Sequence, residues 1–110
     1  EKFLKRNPST CFIAEENEKI VGVIMAGNDG RRGYIYHIAV LPEFRGKHVA
    51  KTLVENAMAA LEKEGITKVA LVVFEKNKNG NGFWEKIGFT VRNDLIYRNR
   101  TIAQMERIDT

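Results

Sequence analysis

Val40-Leu41-Pro42-Glu43-Phe44-Arg45-Gly46-Lys47-His48-Val49-Ala50-Lys51 is the stretch on which the reading of this chain turns. An apolar run rich in Tyr, Ile and Val, Gly33 to Leu41, leads into it and stops at Pro42. Such residues favour a strand, and proline cannot continue one. Past the turn, Val49, Leu53, Ala57 and Leu61 recur at intervals of four, the spacing of one helix face. The spacing predicts a helix over 47–64, with Lys51, Glu55 and Glu62 toward solvent and Gly65 as its stop. Strand, basic turn and helix start thus follow one another. A helix start has backbone N–H groups without intrahelical acceptors and the positive end of the macrodipole. Gly46 permits close backbone approach, and Arg45, Lys47, His48 and Lys51 add basic groups. Together these make an anion site, although the same residues would also make an ordinary helix start with solvated charges. A Walker-type phosphate loop does not fit. It needs glycine five residues before Gly46 and Ser or Thr after Lys47, where Leu41 and His48 stand. The Gly-x-Gly-x-x-Gly dinucleotide fingerprint is absent.

Upstream, residues 1–6 read as the end of a helix stopped by Asn7-Pro8. Cys11 to Ala14 and Ile20 to Ala26 read as a hairpin across the charged turn Glu15–Lys19, and Gly27 to Gly30 as a turn cluster. Downstream, Thr67 to Phe74 is almost continuously apolar, which suits a buried parallel strand. Strand, helix, strand at these lengths is one right-handed crossover. Residues 75–82 read as a loop into a short helix over 80–87 closed by Gly88. Phe89 to Val91 and Leu95 to Met105 read as the last strands, with Tyr97 on the second. The expected fold class is α/β (α+β): a mixed, mostly antiparallel central sheet with one parallel crossover.

Two motifs carry a resemblance. Val40-Leu41-Pro42 followed by Arg45-Gly46-Lys47-His48-Val49-Ala50 resembles motif A of the GNAT superfamily of N-acetyltransferases, Gln/Arg-x-x-Gly-x-Gly/Ala after a strand ending in Val-x-Pro. Arg45 and Ala50 match, while His48 replaces the middle glycine. Some 30 residues on, Asn77-x-x-Gly80-x-x-Phe83-Trp84-Glu85-Lys86-Ile87-Gly88-Phe89 resembles motif B, with Gly for Ala and Trp for Tyr. Two motifs in the right order are more specific than either alone. The resemblance runs from about residue 9 to the end. It implies a single acyl-CoA N-acyltransferase domain over 1–110 whose N-terminal strand and first helices are missing.

It also implies a mechanism. The third and fourth strands would splay, and the pantetheine arm of acetyl-CoA would lie between them. Ile38, Ala39 and Val40 would offer it backbone groups. Arg45, Gly46, Lys47, His48, Val49, Ala50 and Lys51 would hold the pyrophosphate, and Asn77 would contact the coenzyme. Acetyl transfer is direct attack of an amine on the thioester, so a base is wanted and a backbone N–H near Val40 would polarise the carbonyl. His37 is the candidate base, because an imidazole is the side chain best suited to proton exchange near neutrality. The other reading of His37 is a hydrogen-bonded surface histidine. The family's motif B tyrosine protonates the departing thiolate, and here that position is Trp84, whose indole N–H cannot. Three readings follow: Tyr97 substitutes, the thiolate leaves without an acid, or the protein binds the coenzyme without turnover.

Bulk properties bound these readings. The 110 residues fit one domain. No apolar run approaches the ~20 residues of a membrane span. One cysteine, Cys11, excludes an internal disulfide and suits a reducing cytoplasm. The net charge of +4 admits nucleic acid or an anionic cofactor, yet no recognition-helix or RNA-binding pattern appears. No metal site is expected. The expected partner is a primary amine acceptor, small molecule or protein, with neither nucleic acid nor membrane, and a homodimer through the last strands fits the family. The function classes in play are an acetyltransferase, an acyl-CoA-binding module without turnover, and a nucleic-acid-binding domain.

Overall fold

A computed structural model describes residues 2–46 and 48–103. The chain forms two compact units, Glu1–Val72 and Val73–Thr110.

The first unit opens with α1 (Lys2–Arg6), which ends where Asn7 precedes Pro8. Strand β1 (Cys11–Glu16) pairs antiparallel with β2 (Lys19–Asn28). Only Asn17 and Glu18 separate them, both at positive φ (51° and 64°), the backbone of a type I′ hairpin. Strand β2 runs two residues past its expected end. The turn therefore falls at Asp29–Arg32, whose N–H groups at Arg31 and Arg32 donate to the Asp29 carboxylate at 2.8 Å. Those donors hold the Asp29 carboxyl below the usual carboxylate range. Strand β3 (Gly33–Val40) pairs antiparallel with β2.

Helix α2 (Val49–Lys63) buries Leu53, Val54, Ala57 and Leu61 and leaves Lys51, Glu55 and Glu62 exposed. The expected stripe is therefore the packing face. Gly65 ends the helix at φ 86°, with Ile66 N–H donating to the Leu61 carbonyl at 3.1 Å. The helix lies on the face of the sheet that carries Ile24, Ala26 and Ile35, all buried. Gly22 makes the close approach possible: a Cβ there would sit 3.1 Å from Leu53 Cδ1 and from Val49 Cγ1.

Strand β4 (Val69–Ala70) is far shorter than the apolar run predicts. It pairs parallel with β3 only through Gly33↔Val69 and Tyr34↔Ala70. The sheet order is β1-β2-β3-β4, so the parallel crossover and the mixed sheet stand. After Ala70 the chain leaves the ladder, and Val72 is 53% exposed rather than buried on both faces. Apolar composition alone cannot tell a paired strand from one that has parted from its neighbour.

The second unit holds α3 (Lys78–Lys86), which begins two residues earlier than expected. Trp84 is buried and meets Phe83 and Phe89 edge to face, centroids 5.0 and 5.1 Å apart. The strands expected over 89–91 and 95–105 do not form among the described residues, and 104–105 lie outside them. Alternation supplies a strand's two faces, but the ladder's hydrogen bonds need a neighbouring strand, and these residues show no pairing. Among the described residues no helix is long and apolar enough to cross a membrane.

Candidate functional site

The register of β3 decides where its side chains point. Partners across an antiparallel ladder share a face. Gly22↔Val40 and Ile24↔Ile38 therefore share the α2 face, while Val23↔Ala39 and Met25↔His37 lie on the other. Between Met25 and Ala26 the register shifts, and Ala26 pairs with Ile35. Tyr36 is the extra residue of a β-bulge. Tyr34 pairs with Gly27, so Tyr34 and His37 share the face away from α2. Tyr36 stacks between Tyr34, at 4.7 Å between centroids, and Phe3 of α1, at 5.1 Å. His37 is exposed beside them.

The same register distributes the backbone groups. Leu41 N–H donates to the Val21 carbonyl at 2.9 Å. Hydrogen-bonded and open positions alternate along such a ladder, so Ala39 turns its backbone toward β2 while Ile38 and Val40 turn theirs to the opposite edge. That edge has no ladder partner beyond Tyr34 among the described residues. The Val40 carbonyl accepts Arg45 Nε at 3.2 Å, consistent with its outward aim. Of the three strand residues expected at the coenzyme, Ile38 and Val40 expose backbone groups to the open edge and Ala39 does not.

The turn that follows is built locally. Pro42–Phe44 forms one 3₁₀ turn, with Phe44 N–H bonded to the Leu41 carbonyl at 2.9 Å and Arg45 N–H to Pro42 at 3.2 Å. Gly46 sits at φ 83°, and nothing lies within 4 Å of where its Cβ would be. Lys47 lies outside the described residues. His48 sits at φ 64°, ψ 15°, left-handed and without a side-chain cap bond, and α2 begins at Val49. This is the conformation in which glycine has no steric penalty and other residues pay about 1 kcal/mol. The turn thus has, at the histidine, the left-handed backbone that glycine adopts freely. Ala50 and Val49 are half-buried, with Val49 aimed at the sheet, while Lys51 is exposed on the first helical turn. The site's chemistry is thus an open strand edge leading into a helix start, with free N–H groups and exposed basic side chains suited to an extended, phosphate-bearing ligand.

Asn77 caps α3. Its Oδ1 accepts Gly80 N–H at 2.9 Å. Asn81, which sequence reasoning passed over, anchors the same turn: its Nδ2 donates to the carbonyls of Asn77 (2.9 Å) and Phe74 (3.0 Å). The Asn-Gly pairs around it read as turn residues and hid that role. Replacing Asn77 with alanine should cost about 1 kcal/mol of local stability, read as faster amide exchange over 80–86 with α2 unchanged. Tyr97 stands 70% exposed in an irregular segment. Asp29 and Asp94 are both engaged locally, Asp29 by the N–H groups of its own turn and Asp94 by Arg92 at 2.7 Å. A polar cavity of about 410 Å³, lined among others by Arg6, Ser9, Asn28 and Glu64, involves neither motif.

Comparison with known proteins agrees with this geometry. Residues 1–89 match the family model described as the acetyltransferase (GNAT) family. An acetyltransferase of Pectobacterium atrosepticum is 34% identical over 106 residues, 96% of this chain and 75% of the relative. Ard1 from Thermoplasma volcanium superposes with a TM-score of 0.79 at 21% identity, covering 83% of this chain and 62% of that one. The aminoglycoside acetyltransferase AAC(6')-Iy, solved with a CoA-containing bisubstrate analogue, superposes at 0.70 with 24% identity, over 83% of this chain and 69% of that one. The chain therefore spans about six tenths of the Thermoplasma structure. With the family model matched over most of its length and its fold shared with solved members, this chain belongs to the acetyltransferase (GNAT) family and carries the N-acetyltransferase fold.

Proposed function

We propose that the protein binds acetyl-CoA along the open edge of β3 and the start of α2 and transfers its acetyl group to a primary amine. The observation that carries this reading is the loss of β3–β4 pairing after Tyr34, which leaves Ile38 and Val40 facing an unpaired edge that runs into the Gly46–Val49 turn. The residues fit such a ligand: backbone donors line the edge, space surrounds Gly46, and Lys51 is exposed beside the helix start. Bound acetyl-CoA supplies the activated thioester carbonyl. Val40 N–H, turned to the edge away from β2, would donate to that oxygen and supply the electrostatic stabilisation that acyl transfer requires. His37, exposed on the face away from α2, takes a proton from the acceptor's ammonium, directly or through water, and the free amine then attacks the thioester carbonyl. Trp84 is buried among aromatic rings, so it packs rather than protonates. A thiol of ordinary pKa about 8.5 is a tolerable leaving group without an acid, and Tyr97 remains the candidate if one acts.

The second reading, coenzyme binding without turnover, rests on that buried Trp84. Calorimetric titration with acetyl-CoA followed by thiol release with a panel of primary amines decides between them. We expect saturable binding and amine-dependent thiol release. Binding without release for any amine supports the second reading, and no binding at millimolar acetyl-CoA overturns both.

A further inference from the structure

We propose that Tyr36 is a specificity-determining residue for the acceptor: its half-exposed ring, fixed beside His37, takes the body of the amine, and the class it fits is a monoamine on an aromatic or aliphatic frame. The inference rests on the acetyl-transfer reading above and adds to it the kind of acceptor.

The bulge in β3 places two successive side chains on one face, where a regular strand would alternate them. Tyr36 and His37 both lie away from α2, His37 through its pairing with Met25 and Tyr36 through its ring contact with Tyr34. The Tyr36 ring is held between Tyr34, tilted by 45° at 4.7 Å, and Phe3, edge-on at 70° and 5.1 Å. Two such contacts fix its orientation. Tyr36 is nevertheless 47% exposed, and its hydroxyl makes no hydrogen bond among the described residues. An oriented ring with half its surface open, next to a proton acceptor, offers a ligand both apolar area and an electron-rich face.

Charge decides the class. Val23, Met25, Tyr34, His37 and Ala39, which share this face on β2 and β3, include no carboxylate. Asp29, just beyond β2, is held by the N–H groups of its own turn. An acceptor with several ammonium groups would find no counter-charge on this face. A single ammonium can lie against the ring until His37 takes its proton, while its frame covers Tyr36 and the half-buried Met25.

Thiol release from acetyl-CoA with 2-phenylethylamine and with spermidine, on wild type, Tyr36→Leu and Tyr36→Phe, tests this. Wild type should favour 2-phenylethylamine by about tenfold or more in kcat/KM. Tyr36→Leu should raise KM for 2-phenylethylamine about tenfold. Its kcat, its KM for acetyl-CoA and its spermidine rate should stay within about twofold of wild type. Tyr36→Phe keeps the ring and should recover the wild-type KM to within about twofold. A lowered thermal midpoint with both amines slowed alike assigns Tyr36 to packing and overturns the proposal. So does Tyr36→Phe as impaired as Tyr36→Leu, or a wild-type preference for spermidine, a result that depends on no variant folding. Turnover with other primary amines but not 2-phenylethylamine overturns the acceptor class and leaves the acetyl-transfer reading standing. No thiol release with any primary amine overturns both.

Discussion

Substituting His37 with glutamine will lower kcat/KM for amine acetylation by about 100-fold, the lower range of what a positioned base contributes. Glutamine keeps a polar side chain of similar reach but cannot take up a proton. The bulge at Tyr36 is what gives His37 its position. Without the extra residue, the alternation set by Ile35 on the α2 face would turn residue 37 toward the helix and into the core. With it, His37 faces away from α2 and stands exposed beside the open edge of β3. Acetyl-CoA affinity, measured separately, should be unchanged, because the coenzyme's expected contacts are backbone groups of Ile38 and Val40 and the helix start. An unchanged kcat/KM across pH 6–9 would reject His37 as the base and transfer that role to water.

Ile24→Ala will destabilise the sheet unit by about 3 kcal/mol. Ile24 is fully buried, pairs with Phe12 and Ile38, and lies at the centre of the face that α2 covers. Truncation removes burial worth about 2 kcal/mol and leaves a cavity that β2, held by ladders on both sides, cannot close. Ile13→Ala is the control: Ile13 is 55% exposed on the opposite face of β1 and should cost well under 1 kcal/mol. Urea unfolding followed by far-ultraviolet circular dichroism measures both. Comparable losses for the two would mean that α2 does not define the core face of β2.

Both results depend on features of unequal visibility. The hairpin, the third strand and the amphipathic helix could be read along the chain, because each is written in short-range periodicity: Leu53, Ala57 and Leu61 fall on one face wherever the helix lies. Strand β4 was legible as apolar and parallel but not as short, since parting from β3 after Ala70 is a relation between two segments. The late strands over 89–91 and 95–105 failed for the same reason: alternation at Leu95, Ile96 and Tyr97 describes a potential strand, and pairing decides whether one exists.

The candidate site divides in the same way. Sequence by itself determined the chemistry available at the turn, from Pro42 as a stop and Gly46 as an open approach to the basic residues at the helix start, and two motifs in order pointed to the family. Only the tertiary structure decided which residues can use that chemistry. It turned Ile38 and Val40 rather than Ala39 to the open edge, brought His37 and Tyr34 onto one face, and assigned Asn77 to a helix cap. It also showed that His48 keeps a glycine's backbone. The physical reason is that side-chain direction in a strand follows register, and one bulged residue inverts it. A bulge forms where two strands of unequal count must match, which neither strand's own sequence records.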